Sequence, residues 1–125
     1  MILGLGIDIL ETGRVERELA QGEWLLDDGI FTPEEIRYCS SVRRPARRYA
    51  ICFAAKEATL KALGVRIPDL AMFREVEVEF GAERVCGVVL HERLKRHSER
   101  MGVRRIRISI TSHFSQAGAI VILED

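Results

Sequence analysis

Residues 53–64 read FAAKEATLKALG, and the fold turns on what this segment is. It is mostly Ala, Leu and Phe, the composition of a core helix. Working outward, Pro45 marks a helix start, the helical pattern runs from Ala46 to Leu63, and Gly64 sits where a terminal glycine belongs, with Pro68 beyond it. Within this helix Glu57 lies between Lys56 and Lys61. A buried carboxylate is costly unless it is paired or holds a metal, so Glu57 needs a partner. Lys61, four residues on, is one candidate: Glu before Lys at this spacing forms a surface ion pair of roughly 0.3–0.5 kcal/mol. Ala54, Ala55, Ala58 and Ala62 point to another use. They leave the helix smooth enough for a second backbone or a bulky ligand to come close.

On the N-terminal side, residues 2–10 form an Ile/Leu-rich run broken by Gly4 and Gly6, the pattern of a buried strand with close backbone contacts, and Asp8 is its anomaly. After Gly13 a short amphipathic helix carries Arg14, Glu16, Arg17 and Glu18 around Val15 and Leu19 and ends at Gln21-Gly22. Thr32 caps a further helix, with Pro33 at its first position and Glu34 and Glu35 at the positive end of the dipole. On the C-terminal side, REVEVEF alternates Val76, Val78 and Phe80 with glutamates, a strand with one wet face. Gly81-Ala82-Glu83 turns it into RVCGVVL, a second strand, followed by a helix from about Leu90 to Met101 closed by Gly102. Two more strands, Val103 to Thr111 and Ala117 to Leu123, end the chain, and the apolar last one reads as central. Hairpin-like connections without repeated βαβ units predict an α+β fold: an antiparallel sheet with a long central helix in a single domain, residues 1–125. GLGIDI is not a dinucleotide fingerprint, because the third glycine position holds Ile9.

At 125 residues with 47% hydrophobic side chains the chain can bury one real core, and nineteen basic against nineteen acidic residues give formal neutrality. That balance argues against nucleic acid or an anionic membrane as partner and leaves any steering to local patches, such as Arg43, Arg44, Arg47 and Arg48. Cys39, Cys52 and Cys86 form no CxxC pair and have no zinc-ligand spacing, which suits a reducing cytoplasm. The N-terminal run meets Asp8 too soon for a signal peptide or a membrane span.

Asp8 and Glu57 are lone acids on apolar elements from distant parts of the chain. Asp8 reads either as a strand-end cap or arginine partner, or as half of a cation site. Two carboxylates converging on Mg²⁺, which keeps waters and takes phosphate oxygens, with Lys61 beside them, would make phosphoryl-transfer machinery that works by positioning and charge.

The blocks GLGIDILETGRV, FTPEEIRYC, RRYAICFAAKEATLKALG and ISITSHFSQAGAIVILE, in this order and spacing, resemble the holo-acyl carrier protein synthases, the short 4'-phosphopantetheinyl transferases. The resemblance covers the whole length. It implies transfer of the phosphopantetheine arm of coenzyme A to a serine of an acyl carrier protein, with release of 3',5'-adenosine bisphosphate. By position it implies Asp8 and Glu57 as Mg²⁺ ligands and Lys61 as the catalytic, phosphate-binding lysine. It places Lys56 and Gly64 near the coenzyme, Arg14 against the acidic helix of the carrier protein, and the site between subunits of a homotrimer.

The chain departs from the family pattern in four places. Val65, Arg66 and Ile67 follow Gly64 where a Gly-Thr-Gly turn is usual, and β-branched residues do not tolerate positive φ. Cys52 stands where an arginine is common, and GAER replaces a G-K-P turn. Ser112 occupies the histidine position of the C-terminal motif, so His113, one residue later in a strand, faces the other way. These departures leave open a non-catalytic coenzyme A-binding or assembly module of the same fold, and the same two carboxylates would also suit a generic Mg²⁺-dependent phosphate-ester hydrolase.

Overall fold

The computed structural model describes residues 1–22, 29–82 and 84–125. The interrupted apolar run is strand β1 (Ile2–Glu11), which passes directly into helix α1 (Thr12–Gln21). Then come α2 (Pro33–Ser40), α3 (Ala46–Ala62), α4 (Leu70–Glu75), β2 (Val76–Phe80), β3 (Val85–Leu90), α5 (Glu92–Met101), β4 (Arg105–His113) and β5 (Gln116–Glu124). The strands form an antiparallel three-stranded sheet, β1-β5-β4, and a separate β2-β3 hairpin. Glu83, which the sequence reading puts in the hairpin turn, lies outside the described residues; Gly81 N–H donates to the Arg84 carbonyl across that turn.

Strand β5 is central, as its unbroken apolar run predicts, and Ala117, Ala119, Val121 and Leu123 are buried beneath α3. The alanines of α3 meet a backbone. A Cβ on Gly6 would overlap the Ala58 carbonyl, and one on Gly4 would overlap the Ala62 carbonyl. The two glycines of β1 and the small stripe of α3 are therefore one contact, made from both sides.

Helix α3 ends in a Schellman turn. Gly64, at φ 75°, lets its own N–H reach the Lys61 carbonyl and the Val65 N–H reach the Leu60 carbonyl. Only the glycine takes positive φ there, so Val65 and Ile67 fit the turn without strain.

Three features differ from the sequence reading. Residues 70–75 are helical, because Asp69 caps them by accepting from the Met72 N–H at 2.9 Å. So short a helix carries no periodic signal, and the expected strand begins only at Val76. The start of α5 moves to Glu92, where the Glu75 side chain accepts from the Leu94 N–H at 3.1 Å. The strands also divide into two sheets, since β3 turns into α5 before β4 begins.

Candidate active site

Asp8 lies two residues beyond Gly6, so strand periodicity puts its side chain on the side of β1 that faces α3. Glu57 precedes Ala58, the residue in contact with Gly6, and Lys61 follows one turn later. The glycine–alanine contact thus brings both acids and the lysine to one place. Lys61 Nζ donates to Asp8 Oδ1 at 3.0 Å and to the Ile7 carbonyl at 3.2 Å. Its ion pair is with Asp8, 53 residues away, rather than with the neighbour on its own helix. The Asp8 side chain is 11% exposed and that of Lys61 52%, so the site is an acidic floor with a basic rim.

The Glu57 carboxyl is pushed above its ordinary value, first by burial and then by the Asp8 charge and a hydrogen bond shared with Asp8, with Lys61 and Arg14 opposing. Two like charges held this close disfavour each other, and a divalent cation relieves that repulsion. No group of three or more His, Cys, Asp and Glu gathers among the described residues, and Asp8 and Glu57 stand as a pair of carboxylates. Mg²⁺ characteristically takes that many from a protein, completing its shell with water and phosphate oxygens. The residues present fit that ion.

Arg14 sits in the first turn of α1, half-exposed, with its Nε 3.3 Å from Glu18 Oε1, and its charge reaches Glu57. Gly64 is exposed at the end of α3, with open space where a Cβ would stand. Lys56 overturns its expectation. It is 0% exposed and its ammonium is bound to Glu35, Phe73 and Val76, so it faces the interior and no coenzyme. Cys52 is likewise buried, and burial, followed by a hydrogen bond with Cys39 and the charge of Glu35, pushes its thiol well up, the state of an inert core cysteine.

Strand β4 continues through His113, so His113 is exposed on the outer face and packs edge-on against Phe114. Ser112 points inward and accepts from Arg47 Nε at 2.9 Å and Nη2 at 2.6 Å. This pair belongs to a cleft of about 560 Å³ lined by Tyr38, Arg47, Arg48, Phe80, Arg84 and Ser112. Tyr38 stacks on Phe80 at 4.0 Å, and Arg48 lies 4.0 Å over the Tyr38 ring. The arginine cluster signalled half of this cleft in sequence. Arg43 and Arg44 are instead exposed, and nothing local marked Tyr38, Arg84 or Ser112 as its other walls.

Residues 4–114 match the 4'-phosphopantetheinyl transferase superfamily, and the chain belongs to that family. Its relatives there are synthases of holo-acyl carrier protein. The chain is 40% identical over 124 residues to a holo-[acyl-carrier-protein] synthase of Geobacter sp. strain M21, covering 99% of both chains. Its structure is similar to that of a holo-[acyl-carrier-protein] synthase from Neisseria meningitidis, with a TM-score of 0.85, 28% identity and full coverage of both chains. A Bacillus anthracis holo-(acyl-carrier-protein) synthase solved in complex with CoA (3',5'-ADP) aligns over 98% of this chain and 96% of that one, at 28% identity and a TM-score of 0.76.

Proposed function

We propose that this chain is a holo-acyl carrier protein synthase, transferring the 4'-phosphopantetheine arm of coenzyme A to a serine of an apo acyl carrier protein. The observation that carries the reading is the apposition of Asp8 and Glu57, with Lys61 bonded to Asp8, in a chain that aligns end to end with such synthases. Asp8 and Glu57 would hold Mg²⁺, which when bound supplies a Lewis acid to the pyrophosphate of coenzyme A.

The serine hydroxyl of the carrier protein gives up its proton to solvent as its oxygen bonds to phosphorus, the bond to the bridging oxygen breaks, and 3',5'-adenosine bisphosphate leaves with that electron pair. Lys61 keeps its ammonium beside the charge that builds on the leaving phosphate. Asp8 and the Ile7 carbonyl engage two of its three donors, which sets its position before substrate arrives. Gly64 gives the chain its turn away from the phosphates without a side chain in the way. Arg14 would meet an acidic helix as the carrier serine comes in, a role that its charge within reach of Glu57 supports.

The assembly is a homotrimer with the site between subunits. Leu5, Ile7 and Ile9 on the outer face of β1 are 64%, 55% and 64% exposed, and Ile120 of β5 continues the patch. Such a face favours burial against another copy. The arginine cleft lies at β4, the edge of the sheet opposite Asp8, so one protomer's carboxylates and a neighbour's arginines can serve one phosphorylated coenzyme. A coenzyme A substrate and reduced thiols suit the cytoplasm.

The test is incubation with apo carrier protein, coenzyme A and Mg²⁺, followed by intact-mass measurement of the carrier. One phosphopantetheine adduct is expected, and none forms when the metal is chelated beforehand. No adduct on any of a panel of carrier proteins overturns the reading, and 3',5'-adenosine bisphosphate released without carrier assigns a hydrolase instead.

A further inference from the structure

Lys56 is the one lysine of the FAAKEATLKALG segment that the site leaves unused, and its surroundings are unusual for a lysine. Its ammonium donates to the Phe73 carbonyl at 2.8 Å and to the Val76 carbonyl at 2.6 Å and is ion-paired with Glu35 Oε1 at 2.7 Å, so three oxygens surround it. Glu35 is equally enclosed: Oε1 also accepts from the Thr32 N–H at 2.7 Å, and Oε2 accepts from the Val78 N–H at 2.7 Å. Both side chains are 0% exposed. One pair therefore ties α3 to α2, to α4 and to β2.

Stability alone is a weak reason for this arrangement. Removing two charges from water costs about as much as their attraction returns, and apolar residues of the same volume often serve as well. What an enclosed pair supplies well is register, and α3 needs it. The sheet-facing side of α3 is lined mostly with Ala54, Ala55, Ala58 and Ala62, with Ile51 as its larger side chain toward β4, so the enclosed pair adds a fixed point on the side away from the sheet. With a helix radius of about 5–6 Å, a rotation of roughly 20° carries a carboxylate about 2 Å. Metal ligation tolerates about a tenth of that displacement.

We propose that the Lys56–Glu35 pair is a positioning device of the active site, and that Lys56, on the side of α3 away from the glycine–alanine contact, holds the rotation of α3 that aims Glu57 at Asp8. The proposal rests on the reading of Asp8 and Glu57 as a divalent-cation site. Lys56 touches neither substrate nor metal; it acts through the helix it pins.

The experiment uses Lys56→Met, which keeps length and removes charge, and Glu35→Gln, a milder change that serves where the first variant does not fold. Leu94→Ala, on the buried face of α5, is the control for lost stability. Mn²⁺ alone is titrated into each metal-free protein and followed by electron paramagnetic resonance, at a temperature where circular dichroism reports the variant folded. A loss of Mn²⁺ affinity of about tenfold or more is expected in the pair variants, with kcat falling more than KM for coenzyme A rises. Leu94→Ala keeps wild-type affinity at a comparable fall in Tm. Wild-type Mn²⁺ affinity in a folded pair variant overturns the positioning role and leaves the site reading intact. Absence of Mn²⁺ binding by the wild type overturns both.

Discussion

Glu57 is held at a cost. Its carboxyl is raised above 4.5, the ordinary glutamate value, by burial and by Asp8. A raised carboxyl contributes stability that is fully present below its unfolded value and is lost as pH climbs through the folded one. Metal-free protein should therefore lose stability from about pH 4.5 upward on account of this group. Glu57→Gln carries no charge to desolvate, so it should melt above wild type at neutral pH without metal, while its turnover falls at least about a hundredfold. Differential scanning calorimetry of both proteins against pH isolates the effect, because other acids that titrate, such as Asp69 and Glu124, cancel in the difference. A mutant less stable than wild type at pH 7 would contradict the assignment. His113 makes the opposite case. It is exposed, on the face away from Ser112, so His113→Ala should change kcat/KM by no more than about twofold, the reach of an ordinary surface substitution.

At the scale of elements, the decisive contact is between the β1 backbone and the alanines of α3. Gly6→Ala drives a methyl into the Ala58 carbonyl, which is helix backbone and has no room to yield. The expected cost is about 3 kcal/mol, at the upper end for overpacking, with loss of activity as α3 lifts from Asp8. Gly22→Ala is the comparison: nothing stands near its added methyl, and only its φ of 69° opposes it, at about 1 kcal/mol. Urea unfolding of the two variants should rank them in that order. Much of this was legible in sequence. GLGID and the alanine stripe each announce a close approach, and the Asp8–Glu57–Lys61 grouping follows once they are one contact. Lys56 and Glu35 were not legible as a buried pair, because the resemblance put the lysine near the coenzyme and the glutamate reads as a first-turn charge at the positive end of its helix. Only the tertiary arrangement, which brings β2 and α4 over α3, encloses them. Helix α4 escaped for a different reason, its six residues being too few for periodicity.

At the scale of the whole molecule, the same sheet has two unlike faces. The inner one is covered by α3, and the outer one presents Leu5, Ile7, Ile9 and Ile120 to solvent. Strand β1 is also an edge strand, and long apolar edge strands are hazards unless something covers them. The assembly proposed above covers this face with other copies of the chain. It also separates two functions by location, since Asp8, Glu57 and Lys61 belong to one protomer whereas the arginine cleft lies at the far edge of the sheet. Leu5→Glu places a charge on the outer face, three residues before Asp8 and pointing away from α3. Analytical ultracentrifugation should find wild type as a trimer and Leu5→Glu as a monomer. The monomer should still bind Mn²⁺, because both carboxylates are its own, yet transfer no phosphopantetheine. Wild-type sedimentation as an active monomer at micromolar concentration would refute the shared site. Full activity in a monomeric Leu5→Glu protein would place the whole coenzyme site within one chain and return the arginine cleft to a role of its own.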